Sequence, residues 1–173
     1  MSSRTLRRGV QVLAVLIAGA AFADNLAPRD QVFLEQAAQH GHAEQSASRL
    51  ALTKTRDARV RALAQRMIDD NARVVEELRT LAASKNYTPP REPSMLQKGK
   101  EMLVGGLSED HFDRRYVHQM GVVTNETTVQ LFEEAAREAR DPDVKAFATR
   151  HLPTVRDHLQ TARELKVAFE PAR

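Results

Sequence analysis

The sequence predicts an all-α protein, with four long antiparallel helices arranged as two hairpins joined by a long crossover that carries a short helix. Two observations predict it. A ten-residue pattern, Asp-x-x-Val-basic-Ala-apolar-Ala-x-Arg, occupies residues 57–66 and returns 84 residues later at 141–150. Its apolar positions and those around it recur in alternating steps of four and three, the spacing of one helix face. A long repeat with a helical period reads as a duplicated helix pair. Strand-like alternation and Gly-rich phosphate loops are absent from the sequence.

Residues 1–23 read as an export signal. Arg4, Arg7 and Arg8 form a basic start, residues 10–20 are apolar apart from Gln11 and Gly19, and Ala21-Phe22-Ala23 supplies a small-x-small cleavage pattern. The apolar stretch is shorter than the roughly 20 residues a membrane span needs, and an uncleaved N-terminal anchor is the alternative. The expected exported part, residues 24–173, is a single domain, placed in the periplasm or secreted.

The first helix is expected over residues 30–53, with Phe33, Ala37, His40, Glu44, Ala47 and Ala51 on its seam. The second is expected over residues 57–84, with Val60, Ala64, Met67, Asn71, Val74, Leu78 and Leu81 on its seam and Thr55 or Asp57 as N-cap. The Pro-rich residues 86–93 end the first pair. Ser94 caps a short helix through Val104, stopped by Gly105-Gly106. A third long helix is expected from Ser108 to about Ala139, with Val122, Asn125, Val129, Phe132 and Ala136 on its seam. Asp141-Pro142 opens the fourth, a cap followed by proline at the first helical position. Its seam is Val144, Ala148, His151, Val155, His158, Ala162, Leu165 and Phe169, and Pro153 is expected to bend or open it. Short links near Thr55 and Arg140 make hairpins, and residues 86–107 are long enough to travel the length of a bundle. That topology is ferritin-like; an ordinary up-down-up-down bundle is the alternative.

The whole chain has 26 Lys+Arg against 23 Asp+Glu. Three of those Arg and no acid lie in the leader, so the remainder is formally neutral. With no basic run interleaved with aromatics, nucleic-acid binding lacks its electrostatic footprint. The absence of Cys excludes disulfides, thiolate metal sites and a Cys nucleophile. No nucleophile elbow and no His-Glu-x-x-His zinc motif occurs.

Each apolar seam nevertheless carries polar groups: Glu44, Asn71, Asn125 with Glu126 beside it, and His151 with His158. An unpaired buried polar group costs about 1–3 kcal/mol, so the simplest expectation is that they satisfy one another in the interior. The sharper reading is a metal site, because inward carboxylates and histidines on four helices build di-iron and di-manganese centres. That design needs Glu-x-x-His on two helices, and the chain has none. His151 and His158 stand seven residues apart, about 10 Å of helix rise. His40 and Glu44 are spaced to chelate together. Asp69 and Asp70 are expected to point apart into solvent, and His111 and His118 to lie at the surface or rim.

Several motifs resemble an exported bacterial family known as domain of unknown function 4142, whose members are often labelled outer-membrane proteins. They are Asp30 to Leu34, Glu44, Leu50-Ala51, Val60 to Ala64, Met67 through Asn71, Phe112-Asp113-Arg114-Arg115-Tyr116, Asn125-Glu126 through Leu131-Phe132, and Leu152-Pro153 through His158-Leu159. The resemblance covers about residues 30–165 and implies a ferritin-like fold. Asn71 and Asn125 stand where the family usually has His, whereas Glu44, Glu126 and His158 match it. Asn replaces His as a hydrogen-bonding spacer far better than as a transition-metal ligand.

The sequence thus reads as an exported envelope protein, a non-enzymatic binding or structural bundle with a buried polar network. The alternative is a metal-binding or oxidoreductase protein with a reduced ligand set, in which Glu44, Glu126 and His158, assisted by His40 and His151, hold a transition metal. No catalytic residue is legible, and no membrane span is expected after signal cleavage. Helix-mediated homo-oligomerisation is a third reading.

Overall fold

The computed structural model describes residues 26–169; the expected leader lies outside them. Among the described residues the fold is all-helical.

The two copies of the repeat begin their helices in the same way. Helix α1 (Pro28–Lys54) is followed by α2 (Ala58–Ser84), where Asp57 Oδ1 accepts from the Arg59 and Val60 amides at 2.8 and 3.4 Å. Asp141 does the same for Asp143 and Val144 at 2.9 and 3.1 Å, opening the last helix, Pro142–Ala168. Each cap satisfies amides that no helical carbonyl can reach. Behind the caps, Val60 and Val144, Leu63 and Phe147, and Ala64 and Ala148 are all buried. At the far end of α2, Asn86 adopts φ 56°. The Asn86 and Tyr87 amides return to the Ala83 and Ala82 carbonyls, a Schellman stop using a residue that tolerates the left-handed region.

In the crossover, α3 (Met95–Gly105) is held by a reciprocal capping box between Ser94 and Gln97. The expected third long helix is present with a change of pitch. It runs as α4 (Glu109–Tyr116), a π-helical segment (Val117–Thr124) and α5 (Asn125–Glu138), with helical backbone at both junctions. Two polar side chains fit the wider turn, reaching back five residues: Thr124 Oγ1 donates to the Gln119 carbonyl at 3.0 Å and Asn125 Nδ2 to that of Met120 at 3.2 Å. The helix Pro142–Ala168 is α6. It stays helical through Pro153, which stands on its exposed side, where water can meet the carbonyl left without a donor.

α1 packs along α2 and α5 along α6; α2 meets α6, and α1 meets α5. Phe33, Phe132 and Phe147 join α1, α5 and α6, with ring centroids 5.2 to 6.2 Å apart. Asp30, buried at the start of α1, accepts from the Arg140 and Asp141 amides at 3.1 and 2.8 Å. It thereby ties the first pair to the turn of the second. Among the described residues, no helix is long and apolar enough to cross a membrane.

Candidate functional site

The polar residues of the seams meet at two junctions between the helix pairs. The first is centred on Glu44 of α1, 1 % exposed. Its Oε2 accepts from Asn71 Nδ2 of α2 at 2.8 Å, and Thr128 Oγ1 of α5 lies 3.1 Å from its Oε1. Asn71 spends its other amide hydrogen on the Met67 carbonyl at 2.9 Å. His40 Nδ1 stands 2.9 Å from the same Thr128 oxygen, so one hydroxyl bridges a carboxyl and an imidazole. α1 approaches α2 closely here because position 41 is Gly: a Cβ there would meet Val75 Cγ2 at 2.5 Å.

Burial pushes the Glu44 carboxyl above its ordinary pKa; the charge of His158 and the hydrogen bonds from Asn71 and Thr128 pull it back only in part. Burial likewise lowers His40, helped by the Lys100 charge. Burial thus works against the charged form of each group. Thr128 Oγ1 also lies 3.0 Å from the Thr124 carbonyl, so its one hydroxyl hydrogen has three neighbours to serve: Glu44 Oε1, His40 Nδ1 and that carbonyl.

The second junction joins α2 to α6. His158, 2 % exposed, lies with Nε2 2.9 Å from Asp70 Oδ2. Asp70 also pairs with Arg73 and, at 3.6 Å, with Arg66. Burial alone would raise the Asp70 pKa, but the hydrogen bond and charge of His158, with Arg73 behind them, hold it below the ordinary carboxylate value. About two turns along the same face, His151 Nε2 lies 2.9 Å from Glu77 Oε2, and its ring packs on Phe147 at 4.5 Å.

The expected site residues thus separate. Glu44, Asn71 and His40 come together, and His158 lies near enough for its charge to act on Glu44. Asn125 is fully buried but turns its amide to the Met120 carbonyl, and its Oδ1 has no hydrogen-bond partner among the described residues. Glu126 stands on the outer side of α5, paired with Arg163 at 2.8 Å. Among the described residues, no three His, Asp or Glu side chains are grouped as metal ligands.

Two participants escaped the sequence reading. Asp70 was expected in solvent beside Asp69; Asp69 is exposed and accepts from Gln65 at 3.0 Å, but Asp70 is buried. Its position three after Met67 and four before Val74 puts it on the seam as firmly as Asn71. Thr128, three after Asn125 and four before Phe132, carried the same signal.

The family model Domain of unknown function (DUF4142) matches residues 17–165. The chain belongs to the DUF4142 family. No curated protein matches its sequence significantly. In three dimensions, this DUF4142 chain is similar to the crystal structure of a DUF305 fragment from Deinococcus radiodurans. The TM-score is 0.73 at 14 % identity, over 83 % of this chain and 99 % of that one. It is also similar to a conserved hypothetical protein from Mycobacterium tuberculosis, with a TM-score of 0.63 at 12 % identity over 84 % and 95 %. At such identities the likeness concerns the fold alone.

Proposed function

We propose that this DUF4142 protein is an exported, non-enzymatic binding or structural protein of the cell envelope, built as a ferritin-like four-helix bundle. One observation carries the reading: the acids, amides and imidazoles of the seams are engaged with one another across helices, as Glu44 is with Asn71 and Thr128 and Asp70 with His158. Such contacts fix which helices meet, and they leave few donors for an ion or a substrate. The crossover topology is supported by the meeting of α1 with α5 and of α2 with α6.

The rival reading, a transition metal held by Glu44, Glu126 and His158 with help from His40 and His151, is supported by the influence of His158 on Glu44 and by the orphaned Asn125 Oδ1. It requires Glu126 to leave Arg163 and His151 to leave Glu77. Protein isolated from its own cell envelope separates the two. Metal analysis should find no stoichiometric ion, and the first residue sequenced should be Asp24. A stoichiometric ion that disappears in His158→Ala would establish the metal protein instead.

A further inference from the structure

α3 turns its apolar face outward. Of the six large apolar side chains exposed among the described residues, four belong to it: Met95 (81 %), Leu96 (70 %), Met102 (76 %) and Leu103 (77 %). On a helical projection these four, with Gly99 between them, form a stripe about 120° wide; Lys98, which pairs with Glu92 at 2.5 Å, and Lys100 fall within about 40° of its two edges. Val104, the buried residue of α3, points the other way.

Beside the stripe, and sharing Leu103 with it, lies an open groove of about 730 Å³. Leu103, Leu107 and Phe169 make its apolar lining, and Arg114, Arg115 and Lys166 its charged one; no carboxylate among the described residues lines it. Apolar surface bordered by cations of one sign is complementary to an anionic amphiphilic surface.

We propose that this side of the protein docks on a bilayer surface rich in anionic phospholipid. α3 lies in the interface with its stripe among the upper acyl chains, and Arg114, Arg115 and Lys166 meet the phosphates. At 11 residues α3 cannot span a membrane, whereas an apolar stripe with lysines at its edges suits a helix lying in the interfacial plane. Each cation near such a surface adds to the attraction. A second copy docked by two-fold symmetry would bring the same cations towards one another, which the anionic surface does not.

The proposal deepens the binding reading above. Because vesicles test it with purified protein, its failure is distinguishable from a failure of export or of the polar-junction reading. The chain from Asp24 onward, which holds every described helix, should co-sediment with mixed phosphatidylcholine–phosphatidylglycerol vesicles, release with added salt, and ignore phosphatidylcholine alone. The double substitution Met102→Glu, Leu103→Glu should weaken binding about ten-fold or more with an unchanged thermal melt, since both side chains are exposed. Leu96→Lys provides a second, single-site variant. Arg114→Glu with Arg115→Glu should abolish the preference for the anionic lipid. Equal binding to neutral vesicles, or wild-type binding by the stripe variants, overturns the proposal. So does an absence of vesicle binding, whether or not dimerisation or capture of a monomeric anionic detergent through the same residues takes its place.

Discussion

The α1–α2 pair and the α5–α6 pair begin their second helices with the same cap and the same buried Val and Ala residues, yet the polar side chains that join them are not repeated. Counted 84 residues on, Glu44 corresponds to Thr128, and the two are hydrogen-bonded to each other. Val74 corresponds to His158, whose partner Asp70 lies on the opposite pair. Residues 33–40 of α1 are regular α-helix, whereas their counterparts form the π-helical segment Val117–Thr124. The shared residues cap and pack each pair in the same way, and Phe147 also reaches Phe33 of the other pair. The divergent residues join the pairs at Glu44–Thr128 and Asp70–His158, and Glu44 also holds Asn71 within the first pair. The repeated residues thus carry much of the packing, and the unrepeated ones much of the polar contact between pairs.

The largest test of that division is in the shared apolar positions. Leu63→Ala and Phe147→Ala remove repeat-equivalent buried side chains, and each should cost about 2–5 kcal/mol in urea unfolding. Comparable losses support one scaffold used twice; a near-neutral result for either would show that only one pair depends on it.

Next come the contacts between pairs. His158→Ala should destabilise by about 1–3 kcal/mol because Asp70 loses its buried partner. The Asp70→Ala, His158→Ala double mutant should lose less than the sum of the single variants. Additivity would mean that the junction is not an energetic unit. Asp30→Ala should cost a similar about 1–3 kcal/mol, since the Arg140 and Asp141 amides are then left without their acceptor.

Much of this arrangement was legible in the residues before any coordinates. The caps at Asp57 and Asp141, the stop near Asn86, the short helix behind Ser94 and nearly every seam residue follow from local chemistry that a sequence displays directly. The π-helical turn was not legible, because the apolar period does not distinguish it; within it the chain comes close to α6, where a Cβ at Gly121 would meet Ala162 Cβ at 2.9 Å. The site was legible only in part. Periodicity identifies which side chains face inward, and so found Glu44, Asn71 and His158. It does not identify partners, which depend on the rotation of one helix against another. That is why Thr128 and Asp70 were missed, and why the pairing of Glu126, one residue from the seam and placed with Glu44 only in the metal reading, with Arg163 was not foreseen.

The two buried acids should respond to pH in opposite directions. Glu44 has its pKa raised above 4.5 by burial, so the stability it contributes is fully present below that value and is lost as pH rises through the folded pKa. Asp70 is held below 3.8 against its burial by His158 and Arg73, so its contribution is present above that value and is lost as pH falls through the folded pKa. In urea unfolding across the acid and neutral range, Glu44→Gln should flatten the first slope and Asp70→Asn the second. Slopes of the same sign would show that one acid has been assigned the wrong environment.

The smallest effects are expected at the rim, where the comparison can be made residue for residue. Arg66 and Arg150 are the last residues of the two repeat copies; Arg66 reaches Asp157 on α6, and Arg150 reaches Glu77 on α2 at 3.3 Å. Both arginines are more than half exposed, so each pair is screened by water and salt. Alanine at either position should cost less than about 1 kcal/mol, and added salt should erase the difference. Each arginine also stands beside a carboxylate engaged by histidine: Arg66 beside Asp70, and Arg150 beside Glu77. Removing Arg66 leaves Asp70 with Arg73 and His158, and removing Arg150 leaves Glu77 with His151. A loss in Arg66→Ala that persists in high salt, with none in Arg150→Ala, would place Arg66 within the buried junction and make the two rims unequal.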